Sequence, residues 1–181
     1  MFKRLTIALF LLLAPCSQLL IKAITVPKEH VFVFERSTNA NYVCYDINLQ
    51  DGKLSQKEPL KTYWVLGGGT RIESLTFLDR KMAFGVKVIS AKEDEAVVHL
   101  TAYKHLPIRI CKQKDKWVGI VKLNGHEIVL EKMFVQMKPT ISVSCEYIDI
   151  YGNDTTTGKS GASGLRLNTT RAFLLLFPKR P

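Results

Sequence analysis

The sequence predicts a mainly β protein, an antiparallel β-barrel or sandwich of about eight to nine strands with at most one short helix. Three observations carry this expectation. Apolar residues recur at period two along most of the chain, as in strands with one buried face. Turn formers such as Asp51-Gly52, Gly67-Gly68-Gly69 and Asn124-Gly125 punctuate the pattern at short intervals. Only residues 73–82 carry helical spacing, with Leu75, Leu78 and Met82 at i, i+3 and i+7.

The strands follow in order. Val31-Phe32-Val33-Phe34 opens the first. Residues 41–49 form the second, with Val43, Tyr45, Ile47 and Leu49 on one face. Residues 61–66 form the third and end at the three glycines. After the helical stretch, residues 83–90 read as the fourth strand and 96–103 as the fifth. In the fifth, Ala96, Val98, Leu100 and Ala102 alternate with Val97, His99, Thr101 and Tyr103. Residues 107–111, 117–123, 126–136 and 141–151 complete the set.

Asn124-Gly125 is the sharpest local feature. The pair suits a two-residue type I′ turn, in which both positions have positive φ. It sets Leu123 opposite His126, Val121 opposite Ile128 and Gly119 opposite Leu130. The other face pairs Lys122 with Glu127 and Ile120 with Val129, so one face is mostly apolar and the other starts with opposite charges.

Beyond Tyr151 the texture changes. Residues 152–164 are rich in Gly, Thr and Ser and read as loop. Residues 172–177 are apolar but too short to span a bilayer, and suit either a final strand or a docked tail. The organisation expected is a signal peptide at 1–23, a single β domain at 24–158 and a C-terminal tail at 159–181.

The first 23 residues place the protein outside the cytoplasm. A basic head, Met1-Phe2-Lys3-Arg4, precedes an apolar run over 5–14 and the cleavage-type ending Ile21-Lys22-Ala23. Two alternatives stand beside cleavage. Cys16 after Leu13-Ala14-Pro15 resembles a lipoprotein box, although proline is a poor fit before the cysteine. Residues 5–21 are also just long enough for an uncleaved anchor. The expected localisation is therefore periplasmic or secreted, or else lipid-anchored through Cys16 or anchored at the N-terminus.

The chain holds 26 basic and 16 acidic residues, for a net charge of +10. Loss of Lys3, Arg4 and Lys22 with the head leaves about +7 on about 158 residues, enough for one domain with a real core. Such a surface suits anionic membranes or acidic glycans, or is simply solvated. No run of like charge is long enough for a nucleic-acid tail, and no nucleic-acid partner is expected. Nor is a stable membrane span expected after cleavage. Cys44, Cys111 and Cys145 remain in apolar, strand-like segments without CxxC spacing. They read as buried thiols, with one disulfide as the alternative in an oxidising compartment.

Familiar catalytic patterns do not fit. Gly158-Lys159-Ser160 resembles a phosphate loop, but the glycine that loop needs at 153 is Asn153. The triple glycine lacks dinucleotide-binding spacing. His30, His99, His105 and His126 are scattered, with no HExxH pattern, and no serine occupies a nucleophile elbow. No catalytic residue, metal ligand or cofactor is assigned. What stands out is a polar–aromatic set: Asn39, Asn41, Tyr63, Trp64, Arg80 and Lys81, with Asp79, Phe84 and Gly85 beside it. Aromatic walls with a few placed polar groups are the material of a small-ligand pocket. The competing reading is ordinary packing with a salt bridge at Arg80.

The same residues carry a resemblance. Residues 37–41 (Ser-Thr-Asn-Ala-Asn), Tyr63-Trp64 and the run 78–86 (Leu-Asp-Arg-Lys-Met-Ala-Phe-Gly-Val) resemble the family called domain of unknown function 4833. Thr101-Ala102-Tyr103-Lys104, Phe134-Val135-Gln136 and residues 147–158 fit as well, so that the resemblance covers roughly 31–158. Its members are secreted bacterial proteins, mostly from the Bacteroidetes. The Arg-Lys-x-Ala-aromatic-Gly-Val core is its most specific part. The family pattern has glutamine before that arginine, where this chain has Asp79, and residues after Gly158 depart from it. The resemblance implies no established activity, substrate or catalytic residue.

The expected function is a non-enzymatic binding or structural role in the cell envelope, with a small anionic ligand or an envelope component as partner. The alternative is an envelope-associated hydrolase acting on a glycan or lipid. A filled interior favours the first, and an open cavity with converging acids or histidines favours the second.

Overall fold

The computed structural model describes residues 29–138, 144–155 and 160–168. The expected signal segment, Cys16, and the apolar stretch 172–177 lie outside the described residues.

The elements run β1 (Phe32–Arg36), β2 (Tyr42–Ile47), β3 (Leu49–Gln50), β4 (Lys53–Leu54), β5 (Leu60–Leu66) and β6 (Arg71–Ser74). A short helix α1 (Phe77–Asp79) passes directly into a π-helical turn, Arg80–Phe84. Then come β7 (Val86–Ala91), β8 (Glu95–Leu100), β9 (Tyr103–Gln113), β10 (Lys116–Leu123), β11 (His126–Lys138), β12 (Ser144–Asp154) and β13 (Ser160–Asn168). Strands β3 and β4 form a small ribbon. The other eleven form one sheet, whose main path is β6-β5-β2-β1-β11-β10-β9-β8-β7, with β12 and β13 branching from β11. The sheet curls into a half-barrel. The mainly β expectation, with one short helical segment, is met.

The pairing is antiparallel, with β1 parallel to β11 as the exception among the described ladders. Strand β12 accompanies β11 from Ile128 to Lys138. The opposite edge of β11 is shared: β10 pairs as far as Leu130, and β1 takes over at Lys132. The β11–β12 register shifts between Leu130 and Lys132, a bulge that bends the strand where its neighbour changes.

The concave side carries a core of aromatic and aliphatic side chains. Phe32 stacks on Tyr45 with ring centroids 4.3 Å apart, Phe34 meets Phe84 edge-on at 5.3 Å, and Phe84 meets Trp64 at 4.8 Å. The Tyr45 hydroxyl donates to the Phe84 carbonyl at 3.0 Å, so its one polar atom is satisfied inside the core. Val98, Ile110, Val121, Leu130, Met133 and Ile150 extend this interior around the curve. Cys44, Cys111 and Cys145 are all buried thiols.

The hairpin at Asn124-Gly125 has the expected form. Their φ angles are 49° and 86°, and all five expected cross-strand pairs occur. Val121, Leu123, Ile128 and Leu130 are buried, whereas Lys122 and Glu127 are exposed. Glu127 is met by Arg109 of β9 at 3.4 Å.

Several expectations need correction. The fifth strand ends at Leu100, with Tyr103 opening β9, and Leu49 is exposed in β3 rather than part of β2. The helix does not begin at Glu73, because residues 71–74 form β6 against β5. Thr76 starts it instead: its hydroxyl accepts from the Asp79 amide at 3.1 Å, and the Asp79 carboxylate accepts from the Thr76 amide at 2.9 Å. The strand expected from 83 begins at Val86, since Ala83 and Phe84 close the π turn. The stretch 152–164 is not all loop. Gly152, Asn153 and Asp154 continue β12 opposite Leu130, Val129 and Ile128, and β13 pairs back on β12. Gly152 makes this possible, because a Cβ there would overlap the Val129 carbonyl.

Candidate functional site

The segment from Leu75 to Gly85 joins β6 and β7, the two ends of the sheet path. Its inward side anchors it. Asp79 is buried, and its Oδ2 accepts from the Thr76 hydroxyl at 2.7 Å and from Trp64 Nε1 at 3.4 Å. Ala83 and Phe84 are buried as well. Gly85 donates back to the Arg80 carbonyl at 3.1 Å, and any side chain at 85 would strike that carbonyl. The sequence core Arg80-Lys81-x-Ala83-Phe84-Gly85 is thus a tight turn that buries one half and presents the other.

What it presents is Arg80 and Lys81. Arg80 Nε donates to the Leu75 carbonyl at 3.4 Å and Nη1 to Thr62 Oγ1 at 3.3 Å. Glu58 lies 3.6 Å from Nη1. The carboxylate beside Arg80 is therefore Glu58, not its chain neighbour Asp79. With 43 % of the Arg80 side chain in water, that pair is weak and screened. Lys81 Nζ sits 5.8 Å from the Phe77 ring centroid.

Both side chains line a groove of about 350 Å³ between the start of β5 and the edge strand β7. Four cations, Lys57, Arg80, Lys81 and Lys87, face it against one carboxylate, Glu58, among the described lining residues. Leu60, Phe77 and Val88 supply apolar wall.

The other residues singled out in the sequence lie elsewhere. Asn39 accepts from the Asn41 amide at 3.2 Å, and the buried Asn41 accepts from the Gly67 amide at 3.0 Å, tying the β1–β2 turn to the β5–β6 turn. Trp64 points into the core. Tyr63, one residue away in β5, points to the opposite face. The set thus splits, with Arg80 and Lys81 in the groove, Trp64 behind it, Asn39 and Asn41 at a turn, and Tyr63 outside.

Two features escape sequence reasoning. Arg36 is buried, with its guanidinium carbon 4.9 Å from the Trp64 ring centroid and 5.9 Å from that of Phe84. Burial pulls its pKa down, and the charge of Asp79 pushes it back up. Its place at period two after Phe32 and Phe34 is the sequence sign of an inward side chain.

The second is a polar chain on the convex face. Tyr63 O–H donates to Asp46 Oδ2 at 2.6 Å, Asp46 Oδ1 lies 2.7 Å from His30 Nδ1, and His30 Nε2 lies 3.5 Å from Cys44 Sγ. This is the order of groups in a cysteine–histidine–aspartate triad. The chemistry does not follow. Cys44 is fully buried, and burial, then the Asp46 charge, push its thiol up to about 12. Tyr63 is likewise raised, by burial and by its bond to Asp46. The thiol stays protonated, out of contact with solvent.

Fold and groove together define a curled, mostly antiparallel β domain with a basic cleft between the start of β5 and the edge strand β7. The sequence model of the domain of unknown function 4833 family matches residues 32–162, which include every residue of the groove. The chain belongs to that family. No curated protein and no solved structure matches it.

Proposed function

We propose that this protein is a non-enzymatic binding module of the cell envelope, secreted or periplasmic, that holds a small anionic ligand in the groove. The single observation that carries the reading is the charge of the lining: Lys57, Arg80, Lys81 and Lys87 against Glu58. Phosphate or carboxylate groups gain charge-assisted bonds from such a set, and arginine offers a bidentate fork. The packed interior supports binding over catalysis, because the concave side holds aromatics and aliphatics where an enzyme pocket would converge acids or histidines. The basic, apolar N-terminus supports the location.

The hydrolase reading has one observation in its favour, the Cys44–His30–Asp46 alignment. Its thiol must become exposed and ionised to act, and the burial of Cys44 opposes both.

A thermal-shift series with inorganic phosphate, a sugar phosphate and a uronic acid tests the proposal. A stabilising anion raises Tm by mass action. Lys81→Gln with Lys87→Gln should abolish the shift while leaving the unliganded Tm unchanged. No shift with any of these anions, or a shift equal in the double variant, overturns the reading. Rapid labelling of Cys44 by iodoacetamide in the native protein would favour the hydrolase.

A further inference from the structure

Exposed large hydrophobic residues are concentrated beside the groove. Among the described residues they are Leu49, Phe77, Leu78, Val88 and Ile89. Four of the five come from two dipeptides, Phe77-Leu78 on the short helix and Val88-Ile89 on β7. Both dipeptides border the groove through Phe77 and Val88. Phe77 has 78 % of its surface in water, Ile89 56 % and Leu78 49 %. The β7–β8 register shifts between Val88 and Ser90, so Ile89 is the extra residue of a bulge on an edge strand. Isolated exposed apolar residues need no explanation, but a cluster rimmed by cations marks an interaction surface. Here Arg80 and Lys81 follow the first dipeptide, and Lys87 precedes the second.

We propose that this rim is a membrane-docking surface, in which Phe77, Leu78, Val88 and Ile89 enter the interfacial layer of an anionic bilayer and the groove cations hold lipid phosphates. It rests on the anionic-ligand reading of the groove and narrows the anion to a lipid headgroup. Charge complementarity selects the partner. Apolar side chains gain by leaving water at the headgroup–acyl boundary, and lysines or arginines beside them are drawn to the negative surface potential. Neither set suffices alone: a bare apolar rim lacks attraction at a distance, and bare lysines are screened by salt. Lys81 and Phe77, one helical turn apart and in contact, supply both within one turn.

The test is co-sedimentation of the full chain with phosphatidylglycerol/phosphatidylcholine vesicles, run beside a thermal-shift titration with soluble glycerol phosphate. Wild type should bind the mixed vesicles, bind pure phosphatidylcholine weakly, and lose affinity as salt rises. Leu78→Ser with Ile89→Ser, two exposed positions outside the groove lining, should lower vesicle affinity by about tenfold or more and leave the glycerol phosphate shift intact. Lys81→Gln with Lys87→Gln should lose both. Vesicle binding unchanged in the Leu78/Ile89 variant overturns docking by this rim, whichever other part of the chain then holds the vesicle. A glycerol phosphate shift without vesicle binding overturns the membrane and leaves the anion groove standing. The absence of both overturns the two readings together.

Discussion

Gly85 is the residue on which the site depends most. Its φ is an ordinary −61°, so conformational freedom is not what it supplies. It supplies room, since an added methyl would run into the Arg80 carbonyl that its own amide binds. Gly85→Ala should cost about 1–3 kcal/mol by overpacking and swing Arg80 out of the groove. Urea midpoints and anion affinity should therefore fall together. Cys44 gives a second outcome at this scale. An unfolded thiol titrates near 9, and here it is held up to about 12. A raised pKa means the stabilisation is complete below the unfolded value and is lost as pH climbs toward the folded one. Stability should decline from about pH 9 upward, by as much as about 1.4 kcal/mol per pH unit from this group. Cys44→Ala should flatten that slope in urea melts, although Tyr45 and Tyr63, also raised, keep part of it. Residue roles were unevenly legible. Arg80 and Lys81 show in the sequence as charges within an apolar run. The partner of Arg80 does not, since Glu58 is 22 positions away, and the period-two place of Arg36 marks it as inward without revealing the Trp64 and Phe84 rings that close over it.

Among the elements, the β10–β11 hairpin was fully readable because everything that specifies it is local. Two turn residues with positive φ fix the register, and the alternation of Val121, Leu123, Ile128 and Leu130 fixes the buried face. Gly125→Val should cost on the order of 1 kcal/mol or more, because a β-branched residue resists φ near 86°. An unchanged melting temperature would contradict that role. Strand β6 was hidden because its four residues, Arg-Ile-Glu-Ser, are too few to show a period. They lie beside Leu75, Leu78 and Met82, whose spacing suggests a longer helix. Strand β13 was hidden by composition: Ser160-Gly161-Ala162-Ser163-Gly164 resembles a loop, and only its ladder with β12 makes it a strand. The helix boundary was available in principle, since Thr76 and Asp79 are spaced as a reciprocal cap.

For the molecule as a whole, the β class was legible from periodicity, but the closing contact was not. Residues 33–36 pair with 132–135, and no local pattern reports a partner about a hundred positions away. That contact has a consequence in time. A chain made from its N-terminus completes β1 and β2 early, yet the second edge of β1 has no partner until β11 emerges. At roughly 5–20 residues per second, about 96 residues of waiting last about 5–20 s. Through that interval β1 and β2 have only β5 and β6 to extend them, and this four-stranded piece stays unjoined to β10-β9-β8-β7 until β11 links the two. A chain ending after Gly125 keeps those two pieces but lacks the strand that joins them, and should give an unfolded circular-dichroism spectrum, although it contains all the groove residues. A native-like spectrum from such a fragment would show that the N-terminal strands fold without β11. If the fragment stays unfolded, the groove is assembled last, and a nascent molecule presents its basic and apolar rim as unstructured chain for seconds before it can bind anything as a site.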